Sequence, residues 1–135
     1  MSGRPTPTWA LIAGGGTAGH LLPGLALARA LVEAGHAPDS LHFVGSERGP
    51  EGAMVPQAGF KVDLLPGRGI QRRLTPANIS ALVDLARAFA RGLVIVRKRR
   101  PAVVVVLGGY ASAACGVGAV LCRVPIVLLE QNKKA

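Results

Sequence analysis

The chain has 135 residues, of which 50% are hydrophobic and 17% are charged. This composition excludes a disordered segment, and the length suits a single domain with its own core. Lysine and arginine number 16 against 7 acidic residues, and the resulting formal charge of +9 attracts phosphates, nucleic acid or anionic lipid. Aromatic residues make up only 4%, too few for a surface that stacks bases, so nucleic acid is not expected as a partner.

The chain begins with a strand, a glycine turn and a helix. Residues 9–13 are an apolar run, which predicts a strand and is too short for the core of a signal peptide, so secretion is not expected. Residues 14–20, Gly-Gly-Gly-Thr-Ala-Gly-His, form the turn. Apolar residues at helical spacing follow, with Pro23 near the first turn and Gly35 as the stop.

Two short strands and a long helix are predicted in the middle of the chain. Residues 41–44 and 60–65 have the composition of strands, and residues 66–77, rich in Pro, Gly and Arg, predict a loop. Residues 76–99 predict a helix with Thr75 as its N-cap. One face of this helix is apolar and is predicted to pack: Leu82, Leu85, Phe89, Leu93 and Val96.

The last third predicts two buried strands, residues 102–107 and 125–129, around a helix of small residues over 112–122. Strands that alternate with helices predict an α/β fold with a doubly wound, Rossmann-like parallel sheet. Cys115 and Cys122 lie two helical turns apart, too far for an unstrained disulfide. We therefore expect both cysteines to be reduced and to act as small, buried apolar residues, which fits a reducing cytoplasm.

In such sheets, ligands bind where the carboxyl ends of strands meet helix N-termini. Residues 14–19 match the G-x-G-x-x-G pattern, in which glycines let the backbone approach a diphosphate, although a tight turn without a ligand is the alternative. His20 follows this turn. An imidazole at a helix N-terminus is biased toward its neutral form and can accept a proton from an attacking hydroxyl. The alternative for His20 is a cap or a packing role.

A second glycine segment, residues 108–112, has the sequence Gly-Gly-Tyr-Ala-Ser and repeats this design. Ser112 can cap the following helix, and Tyr110 offers a hydroxyl, while a purely structural loop is an equal alternative. Residues 130–132, Glu-Gln-Asn, follow the last strand, where they either line the cleft or form an exposed chain end.

Taken in this order, the segments resemble those of the MurG family of glycosyltransferases. The matching segments are residues 14–20, Pro-Gly-Leu-Ala at 23–26, residues 108–112, and Val-Pro-Ile-Val at 124–127 leading into residues 130–132. The resemblance covers nearly the whole chain, and the four motifs in register are specific together. Two departures concern the glycine loops: Ala18 stands where the family usually has Gly, and Ala113-Ala114 where Gly-Pro is common.

The resemblance implies a two-domain glycosyltransferase of the GT-B type. The family's N-terminal domain binds the lipid-linked acceptor, lipid I, and its C-terminal domain binds most of the donor, UDP-GlcNAc. Residues 1–135 match the first domain only, so the C-terminal UDP-sugar domain is absent and the chain alone is expected to be inactive unless a separate chain completes it. The implied reaction moves N-acetylglucosamine to the muramoyl 4-hydroxyl with inversion, making lipid II for peptidoglycan synthesis.

The resemblance also implies a role for each matched position. His20 would be the catalytic base. The donor-sugar side would be formed by Thr17, Ala18, Gly19 and Asn132. The acceptor and its diphosphate would contact Gly15, Gly16, Gly109, Tyr110, Ser112 and Glu130. The sequence contains no metal-ligand cluster, so neither a metal nor another cofactor is expected.

The family docks on the cytoplasmic face of the bacterial membrane, and residues 68–74 have a composition that suits anionic lipid. This segment mixes basic and apolar side chains: Arg68, Ile70, Arg72, Arg73 and Leu74. A solvated basic loop is the alternative. An uncovered domain interface would also make self-association possible.

A different class, an NAD(P)-binding module, also fits the first glycine turn. That function requires an acidic residue at the end of the second strand to hold a ribose. Here the strand ends in Val44-Gly45-Ser46-Glu47-Arg48. Glu47 lies after the position at which the acidic residue is expected, while Ser46 and Arg48 would suit a ribose phosphate.

Overall fold

The structure is a computed structural model that describes residues 7–14, 18–47, 50–65, 79–108 and 110–129. Within these ranges, only the backbone is described at residues 18–20, 79–81, 84 and 110. The predicted basic segment, residues 68–74, lies outside the described residues, as do the loop that contains it and the start of the long helix.

The described residues form one parallel sheet of five strands. These are β1 (Ala10–Gly14), β2 (Leu41–Ser46), β3 (Lys61–Leu65), β4 (Val103–Gly108) and β5 (Ile126–Leu128). Their order is β3-β2-β1-β4-β5, and every neighbouring pair is parallel. The chain therefore builds outward from β1 in one direction and then resumes on its other side at β4, which confirms the predicted doubly wound sheet.

Helices cover both faces of the sheet. They are α1 (Ala18–Glu33), α2 (Glu51–Gln57), α3 (Ile79–Arg99) and α4 (Tyr110–Cys122). Successive side chains of a strand point to opposite faces, so Leu11 and Ala13 join a core with α3 and α4, whereas Ala10 and Ile12 join a core with α1 and α2. All four side chains are fully buried. Burial on both faces is why the predicted strands are continuous apolar runs.

Within the described ranges, the predicted elements agree with the structure to within a few residues, and two short elements were not predicted: a turn of 3-10 helix at Pro38–Ser40 and helix α2. Helix α2 was not predicted because it has only seven residues and contains Pro56, which hides its periodicity. Helix α4 begins at Tyr110, two residues before its predicted start, which places Ser112 inside the helix.

One prediction about burial is wrong, and another fails at a single residue. All three residues of β5 are exposed, because among the described strands β5 pairs only with β4 and lies at the edge of the sheet. On the predicted apolar face of α3, Val96 is buried and Phe89 packs against the same core, whereas Leu82 is 47% exposed. Ala88 and Ile95, which the prediction did not include, are also buried in this core.

A charged network joins β2, β3 and the end of α3. His42 Nε2 lies 2.8 Å from Asp63 Oδ2, and Arg99 donates to the same oxygen from Nε at 3.2 Å. His42 is buried and Asp63 is half-buried. The hydrogen bond with His42, together with the charges of His42 and Arg99, holds the pKa of Asp63 below its usual 3.8, against the opposing effect of burial.

Replacing Asp63 by Asn should lower the free energy of unfolding at pH 7 by about 1–2 kcal/mol, because hydrogen bonds to a charged, partly buried carboxylate are lost. The folded pKa is depressed, so this contribution is fully present above the unfolded pKa and disappears as the pH falls through the folded pKa. Urea titrations followed by circular dichroism over a range of pH values measure the difference. Asp39→Asn, at an exposed aspartate, is the matched control. A difference between Asp63→Asn and the native chain that does not change with pH would contradict the assignment.

Candidate functional site

The functional site is predicted at the carboxyl ends of β1 and β4. The chain leaves β1 toward one side of the sheet and leaves β4 toward the other, so the two connections diverge and open a crevice between them. Gly14 at the end of β1 is paired with Gly108 at the end of β4. The sheet thus brings the two predicted glycine segments, which are about ninety residues apart in sequence, to the same point.

The pairing of β1 with β4 is irregular at this point. Ala13 pairs with Val106 and Gly14 with Gly108, so the register skips Leu107 and β4 carries a β-bulge. A Cβ on Gly14 would lie 2.7 Å from Leu107 Cβ, a distance that leaves no room for a side chain. Gly108 has φ of +119°, which L-residues with side chains rarely adopt. The two glycines are therefore required by the backbone of the bulge itself.

The Ser112 hydroxyl occupies the bulge. It accepts the N–H groups of Leu107 at 3.0 Å and Gly108 at 2.8 Å. It also lies 2.5 Å from the Ala13 carbonyl oxygen and 2.9 Å from that of Gly108, and it donates to one of them. Ser112 is buried. This geometry favours the structural alternative for the second glycine segment, while contact of Ser112 with a diphosphate stays a prediction.

Two helix N-termini reach the crevice. Helix α1 begins at Ala18, four residues after the end of β1, and α4 begins at Tyr110, two residues after the end of β4. The first N–H groups of a helix have no partner within the helix, and each N-terminus carries a positive partial charge. Ala18, Gly19 and His20 form the start of α1, so the structure places the backbone of the predicted base at the predicted site. The arrangement suits an anion with more than one oxygen, such as a diphosphate.

Several predicted site residues lie outside the described residues: Gly15, Gly16, Thr17, Gly109, Glu130 and Asn132. The membrane residues Arg68, Ile70, Arg72, Arg73 and Leu74 also lie outside them. Their roles stay predictions. The backbone is described up to Leu129, whose N–H donates to the Val106 carbonyl at 2.9 Å. Residues 130–132 therefore follow directly from the carboxyl end of β5.

Glu51 is a buried carboxylate that the sequence analysis missed. It lies in the first turn of α2, is 0% exposed, and accepts the Ser46 N–H at 3.1 Å. Its side chain fills the space above Gly45, where an added Cβ would lie 2.4 Å from Glu51 Cγ. Glu51 thus shapes the connection after β2. An acidic residue directly after Gly49-Pro50 was the available signal, because acidic side chains favour the first turn of a helix.

The end of β2 also bears on the NAD(P) alternative. Ser46 is buried, and its N–H is bonded to Glu51. The Glu47 N–H donates to the Leu65 carbonyl at 3.1 Å, which holds this backbone against β3. The Ser46 side chain is therefore not presented to solvent as a ligand for a ribose phosphate.

The thiol of Cys115 is not suited to chemistry. Burial, with a smaller contribution from the negative charge of Asp63, raises its pKa to about 12, so it stays protonated. Among the residues that the structure describes, no three His, Cys, Asp or Glu side chains are grouped as metal ligands. In the same ranges, no helix combines the length and the apolar character that crossing a bilayer requires.

The fold defines an α/β protein with a doubly wound parallel sheet, whose two central strands end at a crevice. The sequence profile of the glycosyltransferase family 28 N-terminal domain matches residues 10–135, and the chain belongs to this family.

Sequence relatives support the MurG resemblance. The UDP-N-acetylglucosamine–N-acetylmuramyl-(pentapeptide) pyrophosphoryl-undecaprenol N-acetylglucosamine transferase of Anaeromyxobacter sp. is 43% identical over 90% of this chain and 32% of its own length. The enzyme of the same name from Moorella thermoacetica is also 43% identical, over 90% of this chain and 33% of its own. The chain thus spans about a third of the length of the curated relatives it matches.

The fold is also that of a solved glycosyltransferase. The crystal structure of Acinetobacter baumannii MurG superposes with a TM-score of 0.75 over 94% of this chain and 36% of that protein, at 23% identity. The predicted GT-B N-terminal fold and the MurG resemblance are confirmed, and the comparisons do not favour the NAD(P) alternative.

Replacing Gly14 by Ala should destabilise the protein by about 1–3 kcal/mol, because the new methyl group overlaps Leu107 and must push β4 aside. Gly116→Ala in α4 is the control. Its Cβ would lie 3.8 Å from Val106, an ordinary contact, so the helix should gain about 0.5–1 kcal/mol. Chemical unfolding measures both. Equal stabilities of the two variants would show that β1 and β4 are not in close contact at Gly14.

Proposed function

We propose that this chain is the acceptor-binding part of the transferase that moves N-acetylglucosamine from UDP-GlcNAc to lipid I, making lipid II for peptidoglycan. One observation carries the proposal. The N-termini of α1 and α4 meet at the glycine ends of β1 and β4, where a diphosphate can approach the backbone. The sequence relatives are named for this reaction, and their acceptor is a pyrophosphoryl lipid.

Backbone groups are proposed to hold the diphosphate. A helix N-terminus contributes roughly 0.3–1 kcal/mol to the binding of a negative charge at an exposed site, and up to about 2 kcal/mol in a partly buried one. No acidic residue lies in the first turn of α1 or α4 to oppose the anion. We assign acceptor contacts to Gly15, Gly16, Gly109, Tyr110 and Glu130.

His20 is proposed as the general base. The muramoyl 4-hydroxyl attacks the anomeric carbon of the donor sugar, the hydroxyl proton passes to the imidazole, and UDP departs with the electron pair of the broken bond. Attack opposite the leaving group gives inversion. The position of His20 in the first turn of α1 favours the neutral imidazole that a base requires. Donor-sugar contacts are assigned to Thr17, Ala18, Gly19 and Asn132.

A second domain is proposed to hold most of the donor. The relatives are about three times as long as the matched region, which leaves room for such a domain. Transfer requires the donor and the acceptor to be held against each other, and a cleft with one wall does not do this. The chain of residues 1–135 is therefore proposed to act with a UDP-sugar domain.

Transfer of labelled N-acetylglucosamine from UDP-GlcNAc to a soluble lipid I analogue tests the function. The chain alone should be inactive, and adding the separately expressed C-terminal part of the Anaeromyxobacter relative should restore transfer. In the restored enzyme, His20→Ala should lower the rate by about 10²–10⁴-fold, the usual effect of losing a general base. His36→Ala, in the turn after α1, is the control and should keep the native rate. An active His20→Ala variant would remove His20 from the mechanism.

We also propose peripheral binding to the cytoplasmic membrane face, where the lipid-linked acceptor is presented. Helices α3 and α4 pack side by side and expose apolar side chains, including Val83 on α3 and Val120 and Leu121 on α4. The basic segment, residues 68–74, is separated by four residues from the described start of α3 in the sequence. Exposed apolar side chains and a basic segment close in sequence suit the boundary of an anionic bilayer.

Co-sedimentation with vesicles tests the membrane proposal. Replacing Arg72 and Arg73 by Glu should reduce binding to anionic vesicles by about tenfold or more, since each basic residue near such a surface contributes about 1 kcal/mol. Arg29→Glu with Lys61→Glu, at exposed residues elsewhere, makes the same change in net charge and is the control. An equal loss in both double variants would indicate attraction by overall charge without a docking face.

A further inference from the structure

We propose that Ser112 is a positioning residue: its hydroxyl holds the ends of β1 and β4 at the separation that lets both glycine segments contact one diphosphate, without touching the ligand itself. The inference rests on the proposed function, because it concerns the same crevice. It differs from the acceptor contact that the family resemblance implies for Ser112.

The hydroxyl adds hydrogen bonds where the pairing of β1 with β4 becomes irregular. Strands β1 and β4 are in register up to Ala13 and Val106, and the register then skips one residue. At this point the N–H groups of Leu107 and Gly108 both donate to the Ser112 hydroxyl, which in turn contacts the Ala13 carbonyl. One side-chain oxygen therefore joins the last residues of both strands across the bulge.

The hydrogen-bonding capacity of this hydroxyl is used within the protein. A serine hydroxyl has one donor and two acceptor sites. Two N–H groups occupy the acceptor sites, and the Ala13 carbonyl at 2.5 Å or the Gly108 carbonyl at 2.9 Å takes the proton. Ser112 is buried as well. A ligand oxygen could bond to this hydroxyl only by displacing a backbone partner, so direct contact is disfavoured.

The position of Ser112 also couples the site to helix α4. Ser112 is the third residue of α4, and its contact with Ala13 spans 99 residues of sequence. The same hydroxyl therefore fixes the N-terminus of α4 against the residue that precedes the first glycine turn. If the hydroxyl is removed, the bulge can close or widen. The separation between the two helix N-termini then changes, and they no longer contact the same diphosphate together.

The experiment compares Ser112→Ala, Ser112→Thr and the control Ser40→Ala in the full 135-residue chain. Ser40 is also buried and donates to the Ala37 carbonyl at 2.6 Å. It directly precedes β2 and therefore lies at the amino ends of the strands, opposite the crevice. Amide hydrogen exchange by NMR, without ligand, reports on the Leu107 and Gly108 amides. Calorimetry with a short-chain, diphosphate-linked muramoyl acceptor reports binding.

Ser112→Ala should speed exchange of both amides and weaken acceptor binding, each by about tenfold or more, the effect expected when buried hydrogen bonds are lost. Ser112→Thr keeps a hydroxyl and should restore both. Ser40→Ala should change neither at the crevice, even if it lowers stability by a similar amount.

Other outcomes would contradict the bridge, the positioning role or the proposed function. Unchanged amide exchange in Ser112→Ala would overturn the bridge across the bulge, and faster exchange with unchanged binding would overturn the positioning role. Native exchange with weakened binding in Ser112→Thr would overturn it as well, because a restored bridge would then not restore binding. If the native chain does not bind the diphosphate acceptor while Ser112→Ala still exchanges faster, the proposed function fails, and the bridge remains as part of the fold alone.

Discussion

The pairing of β1 with β4 is the interaction on which the rest of this structure depends. β1 is the central strand of the described sheet, and its alternate side chains enter the cores on both faces. Each fully buried Leu or Ile side chain contributes roughly 1.5–3 kcal/mol through removal of apolar surface from water. Since Leu11 and Ile12 belong to different cores, a shift of β1 against β4 would disturb both layers of helices together.

The same pairing creates the site. β1 and β4 are neighbours in space, but their connections leave in opposite directions, so the sheet opens where their carboxyl ends meet. The described part of the crevice is built from backbone: two glycines that the bulge requires and two helix N-termini. In the proposed function, recognition by backbone groups depends on the spacing of the strand ends, and the buried Ser112 hydroxyl across the bulge is proposed to hold that spacing.

The charged network and the proposed binding site lie at different places along the strands. The network of His42, Asp63 and Arg99 ties β2, β3 and the last residues of α3, whereas the glycine segments lie at the carboxyl ends of β1 and β4. The two edge strands of the described sheet also differ in polarity. Strand β3 carries charged residues that oppose further pairing, and β5 is a short, exposed, apolar edge.

The sequence by itself determined the order of the strands and of the three longer helices, the parallel sheet and the two glycine segments, because buried strands and helix starts leave local patterns. Tertiary structure alone decided where Ser112 points, that β5 is exposed, that α3 turns Leu82 outward and that Glu51 is buried. These features depend on which elements become neighbours. A hydroxyl bonded to a residue 99 positions away leaves no periodic signal, since only the folded sheet brings its partners within hydrogen-bonding distance.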